Sequence, residues 1–334
     1  MSGIKERSLQ TRFLDRIKDM LPPSHSLVNE LAELLGVSSD SAYRRIRGET
    51  IITIDEISTI CKHFKIGFDI FSEQSGTVSF DFDKLSGVEG FRLYLTSIRN
   101  TLFALNKAEN AELYYAALDV PIVHHFIYPE LSAFKMFYWL KDFINEPALE
   151  GLKYNASIID QDLLNLGKEV YQAYCNIPTI EIWTPATLNS SIAQLEYYYD
   201  SGLFESREIA LKIYSQLEEE VRTIQKHAEW GNKISAENQS GNYKLYFSEI
   251  EIGNNCILTN VSNVRTVIMS FHTFNKLTTS NTAFCDDTYK WLTNLIRKST
   301  LISGVSEKQR YMFFKQIFDK LAKLKLRLEN TSEK

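Results

Sequence analysis

The sequence is short of the features that usually mark chemistry. Its four cysteines, Cys61, Cys175, Cys256 and Cys285, lie far apart with no Cys-x-x-Cys spacing and no His-x-His pair. That argues against the common zinc frameworks and leads us to expect reduced, buried thiols and no bound metal. Glycine-rich phosphate loops are absent, and no cofactor is expected. No apolar run approaches the length of about 20 residues that a membrane helix needs. The opening MSGIKERSLQ has no apolar core of the signal-peptide kind. The expectation is a cytoplasmic protein without a membrane partner. The net charge of −5 has the wrong sign for a protein that coats nucleic acid along its whole surface.

What is present begins with size. A chain of 334 residues has room for two or three domains, and its 44% hydrophobic content is ample for large cores. The most informative stretch is residues 26–49, SLVNELAELLGVSSDSAYRRIRGE. Leu27, Leu31, Leu34 and Leu35 recur at helical spacing, which predicts a helix with one buried face. Gly36 suits a left-handed helix stop, and Ser38 suits the cap of a second helix. That second helix turns Ala42 and Ile46 inward. It carries Ser39, Asp40, Ser41, Tyr43, Arg44, Arg45 and Arg47, and Gly48 closes it. Residues 8–21 supply a helix before the pair, stopped by Pro22-Pro23. Residues 53–66, TIDEISTICKHFKI, supply one after it.

This arrangement resembles the Xre/Cro family of helix-turn-helix DNA-binding domains over residues 8–72, about a fifth of the chain. The shared marks are the small Ala32, Gly36 four residues on, the hydroxyl cap, the arginine-rich end closing in glycine, and the hydroxyl-capped helix that follows. One position departs from the family pattern. Arg45 stands where an aliphatic residue is usual, and Ile46 comes one residue later. The resemblance implies that the second helix enters the major groove of double-stranded DNA. The candidate DNA-binding residues are Ser38, Ser39, Asp40, Ser41, Tyr43, Arg44, Arg45 and Arg47. Residues 1–72 hold ten Lys/Arg and ten Asp/Glu, so positive charge is local to this helix. That favours a site-seeking binder over a nonspecific one.

Beyond the 1–72 domain we expect a linker at 73–87, where Ser, Gly and Asp punctuate a short alternating piece. A helical domain at 88–240 and an α+β domain at 241–334 follow, and the two are separate or form one unit. The fold class expected is mainly α: an N-terminal helix-turn-helix domain of four to five helices, then a larger helical region ending in a small antiparallel sheet and two helices. The aromatic run 111–145 reads either as a pocket for a planar ligand or as helical core, and core is preferred. His124-His125 has no partner carboxylate at a telling spacing and reads as structural. IPTIEIWTP, bounded by Pro178 and Pro185, reads as a connector. YKLYFSEIEI, CILTNV and VRTVIMSF are rich in β-branched and aromatic residues and predict a three-stranded antiparallel sheet.

No catalytic motif is recognised in 88–334. His272 and Lys276 are four apart, not at the His-x-Lys spacing of phospholipase-D-type sites, and the segment reads as a strand-to-loop junction. In Cys285-Asp286-Asp287 the acidic pair raises the thiol's pKa, which makes a poor nucleophile. The leading functional reading is a non-enzymatic, sequence-specific transcriptional regulator. Its C-terminal region dimerises, with the Ile317, Leu321, Leu324 and Leu328 stripe as candidate seam, and senses a small-molecule effector of unknown identity. One alternative is an enzyme or defence effector that uses the helix-turn-helix for targeting or autoregulation. Another is an interaction scaffold that no longer binds DNA.

Overall fold

The computed structural model describes residues 8–21, 25–64, 78–234, 241–271 and 275–330. The chain divides into two compact units, Met1–Ser79 and Phe80–Lys334.

In the first unit, four helices share one small core: α1 (Leu9–Met20), α2 (Leu27–Leu35), α3 (Ser39–Ile46) and α4 (Ile54–Phe64). Phe13, Leu14, Ile17, Leu27, Leu31, Ala42, Ile52 and Ile60 are buried together. Gly36 ends α2 at φ 63°, in the left-handed region that a residue without Cβ enters at least cost. Val37 N–H then bonds back to the Ala32 carbonyl at 3.0 Å. Ser38 caps α3 by accepting from Ser41 N–H at 3.2 Å. At the start of α4, Glu56 N–H donates to Thr53 Oγ1 at 3.2 Å and Thr53 N–H donates to Glu56 Oε2 at 2.9 Å. This reciprocal pair is a capping box, written in the sequence as Thr-Ile-Asp-Glu.

The second unit corrects the expected fold class. Eight strands form one mixed sheet in the order β1-β7-β6-β5-β2-β3-β4-β8, in place of a small antiparallel sheet. The strands are β1 (Asp81–Asp83), β2 (Ala111–Ala117), β3 (Thr179–Trp183), β4 (Tyr243–Phe247), β5 (Cys256–Val261), β6 (Val264–Phe271), β7 (Asn275–Thr279) and β8 (Thr300–Leu301). β2, β3 and β4 run parallel. The other pairings are antiparallel. Between β2 and β3 lie α6 (Pro129–Tyr138) and α7 (Gln161–Cys175), and between β3 and β4 lie α8 (Asn189–Asp200) and α9 (Arg207–Trp230). α5 (Gly87–Lys107) precedes β2, while α10 (Thr282–Arg297) and α11 (Glu307–Asn330) come late.

The physical reason for the difference is burial on both faces. Leu113, Tyr115 and Ala117 of β2 join the large core with α5, α6, α7 and α9, whereas Tyr114 and Ala116 join a second core with Leu292 and Leu295 of α10. A strand covered on both sides loses the alternation that identifies a half-buried strand. The segment IPTIEIWTP is therefore no connector: it holds β3, an interior strand. Residues 243–247 pair with β3 and not with β5, so the predicted three-stranded meander is also corrected. Within it, β5 and β6 do form a tight hairpin, with Ser262 at φ 48° and Asn263 at φ 71°. The run 111–145 is a strand, a 3-10 segment at Ile122–Ile127, α6 and one π-helical turn. The C-terminal stripe Ile317, Leu321, Leu324 and Leu328 is buried within the unit, where α11 packs on α8 and α9. It is core, and no free dimer seam remains there.

Candidate nucleic-acid interface

α3 is held to its unit by one face and one end. Ala42 is fully buried, and Ile46 packs against the same core. Arg45 turns inward and not to solvent. Its Nη2 lies 2.8 Å from Glu56 Oε1, and its Nη1 donates to Ser41 Oγ at 2.6 Å. The side chains of Arg45 and Glu56 are only 13% and 19% exposed. The arginine thus buries its stem and neutralises its head on the capping-box glutamate. The Arg45 hydrogen bond holds the Glu56 carboxyl below the usual carboxylate range, against an upward push from burial.

The C-terminal end of α3 is fastened by Gln10 of α1. Its Nε2 donates to the carbonyls of Arg45 at 2.8 Å and Thr50 at 2.7 Å, and its Oε1 accepts from Ile52 N–H at 3.1 Å. One carboxamide therefore ties down the helix end and the loop after it. No sequence signal marks Gln10, because its three partners lie 35 to 42 residues away.

The opposite face of α3 is open. Ser38, Ser39, Asp40, Tyr43, Arg44 and Arg47 are exposed, and Ser41 is half-buried beneath Arg45. Arg47 sits over the Tyr43 ring, 5.5 Å from its centroid. Glu49 approaches both outward arginines, at 3.3 Å from Arg47 Nε and 3.9 Å from Arg44 Nε. Of the eight candidates, the fold brings Ser39, Asp40, Tyr43, Arg44 and Arg47 onto one exposed surface. Ser38 spends its hydroxyl on the cap, and Arg45 with Ser41 serves the interior.

In the second unit the histidine pair proves to have carboxylate partners after all. His124 Nε2 lies 2.9 Å from Glu181 Oε1, and His125 Nδ1 lies 2.8 Å from Glu220 Oε2. The partners sit 57 and 95 residues away, beyond any spacing rule. Glu181 is wholly buried and also accepts from the Tyr174 hydroxyl, from Trp183 Nε1 at 2.8 Å and from the Tyr243 hydroxyl at 3.0 Å. With four donors satisfied it reads as a structural hub. His272 lies outside the described residues. Among the described residues no group of His, Cys, Asp and Glu is arranged to hold a metal ion, and no helix is long and apolar enough to cross a membrane. No family model, curated protein or solved structure matches the chain.

Proposed function

We propose that the chain is a sequence-specific DNA-binding transcriptional regulator of the Xre/Cro kind, in which α3 reads the major groove. The observation that carries this reading is the division of labour on α3. One face is locked by Ala42, Arg45 and Gln10, and the other presents Ser39, Asp40, Tyr43, Arg44 and Arg47 to solvent. A helix fixed in this way presents its outer side chains at set positions, which base recognition requires. Arg44 and Arg47 supply the guanidinium forks, one for a guanine edge and one for phosphate. Arg45 is a positioning residue in this scheme. Glu49 occupies both outward arginines in the free protein and must release them to DNA.

The regulator acts as a homodimer in this proposal. A lone helix-turn-helix of balanced charge binds modestly, since nonspecific phosphate contacts give about 10⁻⁴–10⁻⁶ M. Two copies on half-sites about 34–36 Å apart convert the second contact into an intramolecular one. The function lies in binding, with the second unit as the dimerising and sensing part.

The test is selection of genomic fragments by the purified full chain. The expected result is an enriched motif with two related half-sites one helical turn apart. Recovery of fragments with no shared motif would overturn sequence-specific reading, and a motif without repeated half-sites would overturn the dimer.

A further inference from the structure

A cavity of about 100 Å³ opens in the second unit beside the carboxyl ends of β2 and β3. Asp119 comes just after β2, Ser190 and Ser191 open α8 after β3, and Lys135 and His125 reach in from α6 and the 3-10 segment. From β2 the chain steps one way to β3 and β4 and then returns to place β5, β6 and β7 on the other side, so the cavity lies where the strand order reverses, a usual place for a ligand in α/β sheets. A second lobe of about 110 Å³ shares Tyr94, Tyr115, Ile122, Ile257, Ile268 and Lys276 as walls. That lobe is apolar, lined further by Ile98, Leu102, Leu105 and Leu113.

Three charged side chains line the polar lobe, Asp119, Lys135 and Lys276, and Lys135 makes no ion pair with Asp119. Lys135 is 2% exposed, and its Nζ donates to Ser191 Oγ and Gln194 Oε1, both at 2.7 Å. Both acceptors are neutral, and among the described residues no carboxylate lies within ion-pair distance of Nζ. Two of the three ammonium protons are placed, which leaves one for the cavity. Asp119 accepts from the Ser190 side chain and is likewise without an ion-pair partner among the described residues. Burial pushes the lysine down to about 8 against the fields of Glu220 and Asp119, and the aspartic acid up against the field of Lys135. Burial also pushes His125 down, against the pull of Glu220. An ionised Glu220 can only accept from Nδ1–H, which in the neutral ring leaves Nε2 as the acceptor.

We propose that this cavity binds a small zwitterion of the α-amino-acid class with an apolar side chain. Its carboxylate takes the open proton of Lys135. Its ammonium donates to Asp119 and His125 Nε2, and its side chain fills the lobe beneath α5. Such a ligand gives buried Lys135 and half-buried Asp119 a direct ion-pair contact each, and one chemical group of each sign is needed to do so. Binding is read directly on the full chain, so this proposal stands or falls apart from the DNA-binding assignment.

The test is calorimetric titration of the full-length protein with four probes: L-leucine, L-phenylalanine, 3-phenylpropionate and phenethylamine. The amino acids should bind, and loss of either charged group from the phenylalanine skeleton should weaken binding about tenfold or more. Lys135→Met should weaken L-phenylalanine by a similar factor while leaving phenethylamine unchanged. Asp119→Asn should do the converse, sparing 3-phenylpropionate. The unmodified protein carries the decision through its probe series if either variant fails to fold. Absence of heat for both amino acids overturns the proposal. So does 3-phenylpropionate or phenethylamine binding as tightly as L-phenylalanine, which would mean that a single charge suffices.

Discussion

Adjacent arginines on α3 do different work, and this is testable one side chain at a time. Arg45 and Glu56 form a half-buried pair that also completes the α4 cap. Glu56→Gln should cost the first unit on the order of 1 kcal/mol from cap and ion pair together. Because Arg45 lowers the folded pKa of Glu56, folding favours the ionised form. The stabilisation is complete above the ordinary value of 4.5 and is lost as pH falls through the lowered folded value. Melting curves of the unmodified protein and Glu56→Gln should therefore differ at pH 7 and converge in acid, and a constant gap would refute the assignment. Glu49→Gln should tighten DNA binding, since it frees Arg44 and Arg47, and gel-shift titration would reveal it. His227 gives a second pH signature. Burial, with His124 and Lys233 nearby, pushes it from 6.5 to about 3. The unfolded chain takes up a proton below about pH 6.5 that the folded chain refuses. Stability falls as pH drops through that window, by up to about 1.4 kcal/mol per unit. His227→Leu should flatten the profile of the second unit, and parallel profiles would contradict this.

At the scale of elements, legibility follows from where an element's partners lie. The α2–α3 hairpin can be read because its stop, cap and apolar spacing fall within 24 consecutive residues, 26–49. β3 cannot, because Thr179, Glu181 and Trp183 face one core while Ile180 and Ile182 face the other, and a run of that kind resembles a short apolar connector. Lys135 is hidden for a related reason. Inside Phe134-Lys135-Met136-Phe137 it looks like the solvent side of an aromatic helix, and only the distant Ser191 and Gln194 show it to be buried. Close packing between elements makes a further prediction. A Cβ on Gly167 of α7 would lie 3.1 Å from the Phe126 ring and 3.0 Å from Met136 Cε. Gly167→Val should destabilise the second unit by about 1–3 kcal/mol through overpacking, measurable by urea denaturation. Unchanged stability would mean that the 3-10 segment carrying His124 and His125 yields easily.

At the scale of the whole molecule, the chain carries a small helical unit proposed to read DNA and a large unit with a continuous sheet and a two-lobed cavity. Burial of the α11 stripe removes the segment that the sequence offered as a dimer seam, so the proposed dimer needs another surface of the protein. Light scattering on the full chain should give twice the mass of 38.5 kDa, and a monomer at working concentration would refute the two-half-site scheme. The central claim is that the open face of α3 reads DNA sequence. The most direct measurement is titration of a selected duplex and a scrambled one with the unmodified protein, Arg44→Ala and Arg47→Ala. The account predicts that one variant loses about 1–3 kcal/mol on the selected duplex alone, while the other weakens both duplexes alike and lowers the salt dependence. Undiminished binding in the double variant would contradict it.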